Sequence, residues 1–598
     1  MNPPDGYLPI SDYGLIGDMN SAALVSRGGS IDWLCFPRFD SPSVFAAILD
    51  PGRGGRLDVS VAGAEANQAY LENTNVLRTV FTTEGGTLEL VDFMPCYRKH
   101  HEFEAFHEVH RRLRCLEGTV TVQVAFDPRF GYSREETHVE VHEGGCLATG
   151  ELTGLSLVSD IPFGAAEAGA TAEVTLEEGE ERWLILRWNE DFLRPLEEFL
   201  AAEKLEKTVE YWRTWTERCT YGGPFGDLVR RSLLALKLMI YEPTGAIVAA
   251  PTTSLPEVPG GPKNWDYRYS WLRDAAFALR AFHKCGYSEE ERRYRHWVMR
   301  RLQGHTLHPE ELQIMYGVEG DARLLERSLP HLRGYRGARP VRIGNAAHDQ
   351  HQLDMCGALI DALYLSYHTD DDMNDHVWRT VAELAEFVAD KWELPDYGIW
   401  ELRGERRRYV YSQVMAWVAL DRAARVARRW GNPGRAERWE GIAEEIRAHV
   451  LEAGFDEELN SFVQYEGAKE VDGSLLLMPI VFFIDENDPR WQGTLDRIRS
   501  QLGEGVHIWR FKEDGPREGS FLMLSFWLAD VLIHGGHLEA GREVLRQVMA
   551  YANHVGLFAE MLDPEAEAFL GNFPQALTHM ALVNAAVNLW EAETGTAS

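Results

Sequence analysis

The hydrophobic period of this chain changes once, near residue 226, and that change restricts the fold more than any feature of composition. Before it, apolar residues alternate. NVLRTVFTTEGGTLELVDFMP (75–95) alternates on both sides of a Gly-Gly pair, the pattern of a β-hairpin. VTVQVAFDP (120–128) alternates too, and AEVTLEEGEERWLILRW (172–188) reads as a further hairpin turning at Glu-Glu-Gly-Glu. Short strands with turn signals and no helical pattern between them predict a large antiparallel β-sandwich over 1–192. After residue 226 apolar residues recur at i, i+3, i+4 and i+7, as in MCGALIDALYLSYH, VYSQVMAWVALDRAARVARRWG and QALTHMALVNAAVNLWEAE. About ten to twelve such helices, joined by aromatic-rich loops, suit a closed toroid of paired helices over 226–598. PLEEFLAAEKLEKTVEYWRTW (195–215) is polar and helix-favouring, which predicts a helical linker over 193–225.

Composition narrows the function. The 598 residues carry 93 acidic against 60 basic side chains, a formal charge of −33. Such a surface repels phosphate backbones and anionic lipid heads, so neither a nucleic acid nor a membrane is expected as partner. A neutral or cationic small substrate fits. No run of about 18 uninterrupted apolar residues proposes a membrane span. MNPPDGYLPISDYG has neither a basic n-region nor an apolar h-region, which sets the expectation of a cytoplasmic protein. Seven scattered cysteines without a C-x-x-C argue against a disulfide framework and a zinc ribbon.

Chemistry concentrates in the loops between the helices. NWDYRYSWLRDAAF (264–277) sets Trp265, Tyr267, Tyr269 and Trp271 around Asp266, Arg273 and Asp274. PDYGIWELRG (395–404) sets Glu401 between Trp400 and Leu402, and GLFAEMLDP brings Glu560 onto a loop before the last helix. A pyranose offers apolar C–H faces to aromatic rings and a rim of hydroxyls to carboxylates and guanidinium groups. Cleaving a glycosidic bond takes one carboxylic acid to protonate the leaving oxygen and a second carboxylate as base or nucleophile. An apolar box around Glu401 would supply the raised pKa that an acid needs. Taken alone, a Trp-Glu pair in a loop is more often a packed ring beside a solvated carboxylate.

Long blocks in order carry a resemblance. ISDYGLIGDMNSAALVSRGGSIDWLCFPRFDSPSVFAAILD (10–50), TTSLPEVPGGPKNWDYRYSWLRDAAF, LQIMYGVEG, GYRGARPVRIGNAA, GIWELRG, LFAEMLDP and LGNFPQALTHMALVNAA together resemble the glucoamylase/trehalase family, glycoside hydrolase family fifteen, in its bacterial two-domain form with a trehalase-like N-terminal domain. The resemblance implies a β-sandwich followed by an (α/α)6 barrel, with a pocket at one barrel end and hydrolysis with inversion. It implies Glu401 as general acid and Glu560 as general base. Asp266, Tyr267, Trp271, Arg273, Asp274 and Trp400 fall on the sugar-binding segments, with Arg510 in HIWRFKEDG as a further sugar-binding arginine. One block departs from the pattern: DMCGALIDAL carries Cys356 and Ala358 where bacterial relatives often read Tyr and Glu.

The expectation is therefore an inverting, exo-acting α-glucosidase acting on a disaccharide or small oligosaccharide, first of all α,α-trehalose. A glucoamylase or isomaltose-type glucosidase is the runner-up. A non-catalytic sugar-binding protein is the rival from another class, and the presence of both glutamates counts against it. A disaccharide phosphorylase would need no base glutamate, so Glu560 counts against that too. No cofactor or metal is called for, because two carboxylates suffice for the proton transfers. A homo-oligomer is admitted without being specified. TDDDMNDH (369–376) looks like an aspartate-rich metal motif, but an acidic helix start capped by Thr369 or an Asp is the plainer reading.

Overall fold

A computed structural model describes residues 6–100, 102–151, 153–302, 311–369, 374–513 and 515–595. The chain forms an N-terminal antiparallel, sheet-rich domain and a helical C-terminal domain. One twenty-residue strand, Glu108–Asp127, organises the first. Its first half pairs with Gly86–Phe93 and Glu181–Trp188, and its second half with Arg56–Ser60 and Ala170–Glu177. The register shifts between Cys115 and Glu117, where the strand changes neighbours. Gly118 follows at φ +70°, and a Cβ there would meet the Gly85 carbonyl oxygen at 2.2 Å. Only glycine fits that bend. Beyond it Val120, Val122, Val124 and Phe126 turn inward between the exposed Thr121 and Gln123, the two-residue period of a half-buried strand.

The 75–95 hairpin is present as Leu77–Thr82 against Gly86–Phe93. The expected 172–188 hairpin is not. Ala170–Glu177 and Glu181–Trp188 each pair with the long strand rather than with each other. Their turn lies opposite the bulge, with Gly179 N–H donating to the Cys115 carbonyl at 2.9 Å and Cys115 N–H to that of Glu180 at 3.0 Å. Two strands bend together there.

In the helical domain, one set of helices contacts in a ring. Ala275–Lys284 packs on Asp354–Thr369, which packs on Val410–Arg429. That helix touches Gly473–Leu476, which with Leu477–Ile480 packs on Leu522–His534; Ala576–Thr594 completes the circuit back to Ala275–Lys284. Leu522–His534 is buried over 522–533, as suits an inner helix that is apolar all round. An outer helix such as Leu538–Met549 buries only Gly541, Leu545, Val548 and Met549. Gly541 is required there, since a Cβ would meet Ile533 Cγ1 at 2.6 Å. Helices Ser288–Leu302 and Pro489–Gln501 add to those the periodicity singles out.

Ala201–Thr216 is a helix, as the 195–215 stretch predicts, preceded by a 3-10 turn at Leu196–Phe199. At the acidic motif, Asn374 caps Asp375–Lys391 by accepting from His376 and Val377 N–H at 3.0 and 3.1 Å. Residues 370–373 of that motif lie outside the described residues. Cys356 and Ala358 are buried in Asp354–Thr369 and are not among the cavity-lining residues described below. No described helix is long and apolar enough to cross a membrane.

The two domains share one continuous apolar core and are pinned by polar bonds. Trp33 Nε1 donates to the Pro251 carbonyl at 2.7 Å, and Asn553 donates to the Tyr13 carbonyl at 2.8 Å. The first of these braces the stretch leading into 264–277.

Candidate active site

Segments that lead into the inner helices meet at one end of the ring and enclose a cavity of about 270 Å³. Tyr267, Trp271, Arg273, Asp274, Trp400, Glu401 and Arg510 all line it, together with Trp265, Glu257, Lys263 and Gln575. These side chains come from positions up to 318 residues apart in the chain.

Glu401 sits at φ +57°, the left-handed region, in the loop after Gly398. A non-glycine residue held there costs of order 1–3 kcal/mol and persists only where its surroundings enforce it. The enforcement is visible. Trp271 Nε1 and Arg273 Nη2 both donate to Glu401 Oε1, at 2.7 and 3.0 Å. Arg273 Nη1 donates to Gln352 Oε1 at 2.6 Å, and Gln352 Nε2 donates to Gln350 Oε1 at 3.2 Å. Gln350 Nε2 then donates to the backbone carbonyl of Glu401 at 3.3 Å. Glu401 is thus gripped at both side chain and backbone by one closed circuit. The apolar box expected around it is a polar one.

Glu560 ends the expected loop, directly before the strand Met561–Asp563, which pairs with Ser520–Phe521 and Ala568–Leu570. The residue is 1% exposed. Tyr267 donates to its Oε1 at 2.7 Å, and Asn572 N–H to its Oε2 at 3.3 Å. Gly571 lies at φ +72°, and a Cβ there would come within 2.3 Å of Glu560 Oε2. Burial pushes the Glu560 carboxyl up to about 8, the nearby Glu257 charge adds to this, and Arg510 and the Tyr267 bond oppose it.

Asp274 also carries a raised carboxyl, at about 7, chiefly through burial. It is 7% exposed, and its Oδ1 has no protein hydrogen-bond partner. A buried carboxylate oxygen facing a cavity without a donor asks for one from a ligand. Arg510 is held by Glu518 through Nε and Nη2, at 2.8 and 2.6 Å, and by Glu257 at 2.6 Å. Trp400 is fixed by its indole N–H, which donates to Asp472 at 2.8 Å.

Neither Glu560 nor Asp266 is among the residues that line the cavity. Asp266 is fully buried. Its oxygens accept from Arg268 Nε and Nη2 at 2.8 and 2.6 Å and from Gly344 N–H at 3.0 Å. Arg268 in turn donates to the Ser41 carbonyl at 2.8 Å. The pair bolts the aromatic segment to the sheet domain, because a carboxylate next to arginine in a dry interface satisfies it in place of a sugar. At the rim, Arg342 and Arg403 lie over the Trp265 ring at 4.6 and 4.4 Å, bridged by Glu326.

Glu257, Gln352, Asn572 and Gly571 carry no local signal of their own. Gly571 and Asn572 act on Glu560, 11 and 12 residues away, and Glu257 and Gln352 reach Arg510 and Arg273, 253 and 79 residues away.

The cavity is lined by aromatic rings, guanidinium groups and carboxylates including Glu401 and Asp274, the setting that a glycoside hydrolase needs. Residues 223–587 match the sequence profile of glycosyl hydrolases family 15, and residues 5–212 match the trehalase-like N-terminal profile. The chain belongs to glycosyl hydrolases family 15. It is 38% identical to a trehalase of Thermoplasma volcanium over 98% of this chain and 94% of the relative. To a trehalase of Mycobacterium tuberculosis it is 36% identical, over 98% and 90%. Its fold is similar to that of a bacterial glucoamylase complexed with acarbose, with a TM-score of 0.75 at 13% identity over 99% of this chain and 96% of the other.

Proposed function

We propose that this enzyme hydrolyses α,α-trehalose with inversion, in a pocket at the end of an (α/α)6 barrel that follows a β-sandwich and a linker over 193–225. The observation that carries the reading is the cavity itself: Glu401 on its wall, Glu560 bonded to the lining Tyr267, and Asp274 with an unsatisfied oxygen among aromatic rings. The trehalase relatives, aligned over nearly the whole chain, supply the substrate.

In this mechanism Asp274 and Arg273 hold hydroxyls of the glucosyl unit that is attacked, and Trp271 and Trp400 stack against its faces. Glu401 protonates the oxygen between the two sugars. Both protein donors to Glu401 land on Oε1, which leaves Oε2 as the seat of that proton. Glu560 takes a proton from water as the water attacks the anomeric carbon from the opposite face. A carboxylate pushed upward is a stronger base, and Brønsted behaviour rewards a catalytic pKa near the working pH. Arg510, locked between Glu257 and Glu518, positions the wall beside Trp400.

The test is glucose release from trehalose, maltose, isomaltose and maltodextrin, with and without inorganic phosphate. Trehalose should be cleaved fastest, to free glucose in both conditions. Faster cleavage of maltodextrin would move the assignment to a glucoamylase, and a sugar phosphate among the products would move it to a phosphorylase.

A further inference from the structure

The strand Asn264–Asp266 and the residue on each side of it alternate along the cavity wall. Lys263, Trp265 and Tyr267 line the cavity, whereas Asn264 and Asp266 between them are fully buried and do not. This is the two-residue period of a strand. The buried face holds the strand in place. Asn264 Nδ2 donates to the Gly261 and Pro340 carbonyls at 3.0 and 3.2 Å, and Arg268 Nη2 to Asp266 at 2.6 Å. Each two-residue step advances the chain by about 6.6 Å, a step comparable to one sugar ring.

The inner end of this row is set by chemistry and the outer end by solvent. Tyr267 donates to the buried Glu560 at 2.7 Å. Lys263 Nζ donates to Glu513 Oε2 at 2.5 Å and to Glu518 Oε2 at 3.2 Å. The Lys263 and Glu513 side chains are 26% and 27% exposed, against 8% for Arg273, so the pair lies at the mouth. Trp265 stands between the two ends. Its ring lies against Arg342 and Arg403, both of which are fixed. Arg403 Nη1 and Nη2 donate to Glu326 at 3.0 and 2.5 Å, and Arg342 Nη1 donates to the Pro262 and Asn264 carbonyls at 2.7 and 3.1 Å. Arg403 also lines the cavity, two residues beyond Glu401. A general acid must reach the oxygen that joins the two sugars. The lining outward of Glu401 thus faces the sugar that departs.

Resting on the reading of this site as an exo-acting α-glucosidase, we propose that Trp265 and Arg403 seat the departing sugar and that the Lys263–Glu513 pair ends the site one step beyond it. The indole supplies apolar contact to the ring, and the guanidinium group supplies donors to its hydroxyls. A third sugar would have to part the Lys263–Glu513 pair to enter. The site therefore selects substrates of two units. Its volume of about 270 Å³ agrees, falling just under the about 300–1,000 Å³ usual for small-molecule sites.

The experiment compares three substrates on the full chain: α-glucosyl fluoride, which has no second sugar, trehalose, and trehalose extended by one α-1,4-linked glucose. On trehalose, Trp265→Ala should lose roughly tenfold or more in kcat/KM beyond any loss on the fluoride. Trp265→Phe, which keeps an aromatic ring, should recover part of that loss. The wild-type enzyme should discriminate against the extended trehalose. Glu513→Ala should raise the ratio of kcat/KM for the trisaccharide to that for trehalose roughly tenfold. Equal losses on the fluoride and on trehalose, or no loss on either, would overturn the seat at Trp265. An unchanged ratio in Glu513→Ala would overturn the end stop. If the wild-type enzyme turns over the fluoride and maltose but not trehalose, the trehalose reading fails separately. Maltose and maltotriose then decide both points by the same comparisons.

Discussion

The hydroxyl of Tyr267 donates to Glu560 at 2.7 Å, while the Tyr267 ring meets that of Trp271 edge-on at 5.5 Å. Trp271 donates in turn to Glu401 at 2.7 Å. Two aromatic side chains from one five-residue stretch therefore hold both carboxylates, and a disturbance at either ring reaches the pair.

Tyr267→Phe keeps the ring contact and removes the hydrogen bond. Hydrogen bonds to charged groups are worth about 1.5–3 kcal/mol, so kcat/KM should fall roughly ten- to a hundredfold. The bond favours the ionised form of Glu560, so the acid limb of the pH profile should move to higher pH. A variant with unchanged limb and rate would show that the hydroxyl only fills space.

Glu257→Gln should move the same limb the other way. The Glu257 charge raises the Glu560 carboxyl. A base works only when ionised, so kcat/KM rises as pH passes up through its pKa. Removing the charge lowers that pKa, and activity should extend to lower pH. Steady-state kinetics from pH 5 to about 9 measure it, and a limb that stays put or rises contradicts the electrostatic account.

Asp274→Asn should stabilise the protein while disabling it. The folded protein keeps the Asp274 proton up to about pH 7, whereas an unfolded chain releases it near pH 4, about 3.9. The native state binds more protons across that window, so wild-type stability falls as pH rises through it. An amide has no such term. Thermal unfolding midpoints should be closest at acid pH, with the variant ahead by pH 8. Turnover should nevertheless collapse for want of the hydroxyl clamp. Equal midpoints at pH 8 would place the proton elsewhere.

The roles of the two glutamates separate on a substrate whose leaving group needs little help. Glu401→Gln and Glu560→Gln should each lose about 10²–10⁴-fold on trehalose, the usual range for acid or base work. On α-glucosyl fluoride Glu401→Gln should recover much of its rate and Glu560→Gln should not. If Glu560→Gln is the one rescued, the acid and base labels exchange.

Much of the architecture was legible from periodicity, because a two-residue period over 75–95 and a helical period through 410–431 have few other solutions. The 172–188 stretch misled for a physical reason. A turn opposite a bulge uses the same glycine and acidic residues as a hairpin turn, and only the partner strand distinguishes them. At the site, Tyr267, Trp271, Arg273, Asp274, Trp400, Glu401 and Arg510 do share one cavity. Asp266 was indistinguishable from Asp274 by neighbourhood, since Arg268, which claims it, sits among the same aromatic residues. Glu257 was invisible, as it acts on Glu560 by its charge and on Arg510 by a hydrogen bond, 303 and 253 residues away. Through-space charge leaves no local pattern.

The most direct measurement is the anomeric composition of glucose in the first moments of trehalose hydrolysis, followed by proton NMR before mutarotation. Inversion at the attacked carbon gives one β-glucose, and the departing sugar, whose own C–O bond is untouched, emerges as α-glucose. The account predicts equal initial amounts of the two, with oxygen from isotopically labelled water confined to the β-anomer. α-Glucose alone at the outset, or no cleavage of trehalose by a folded enzyme, would contradict it.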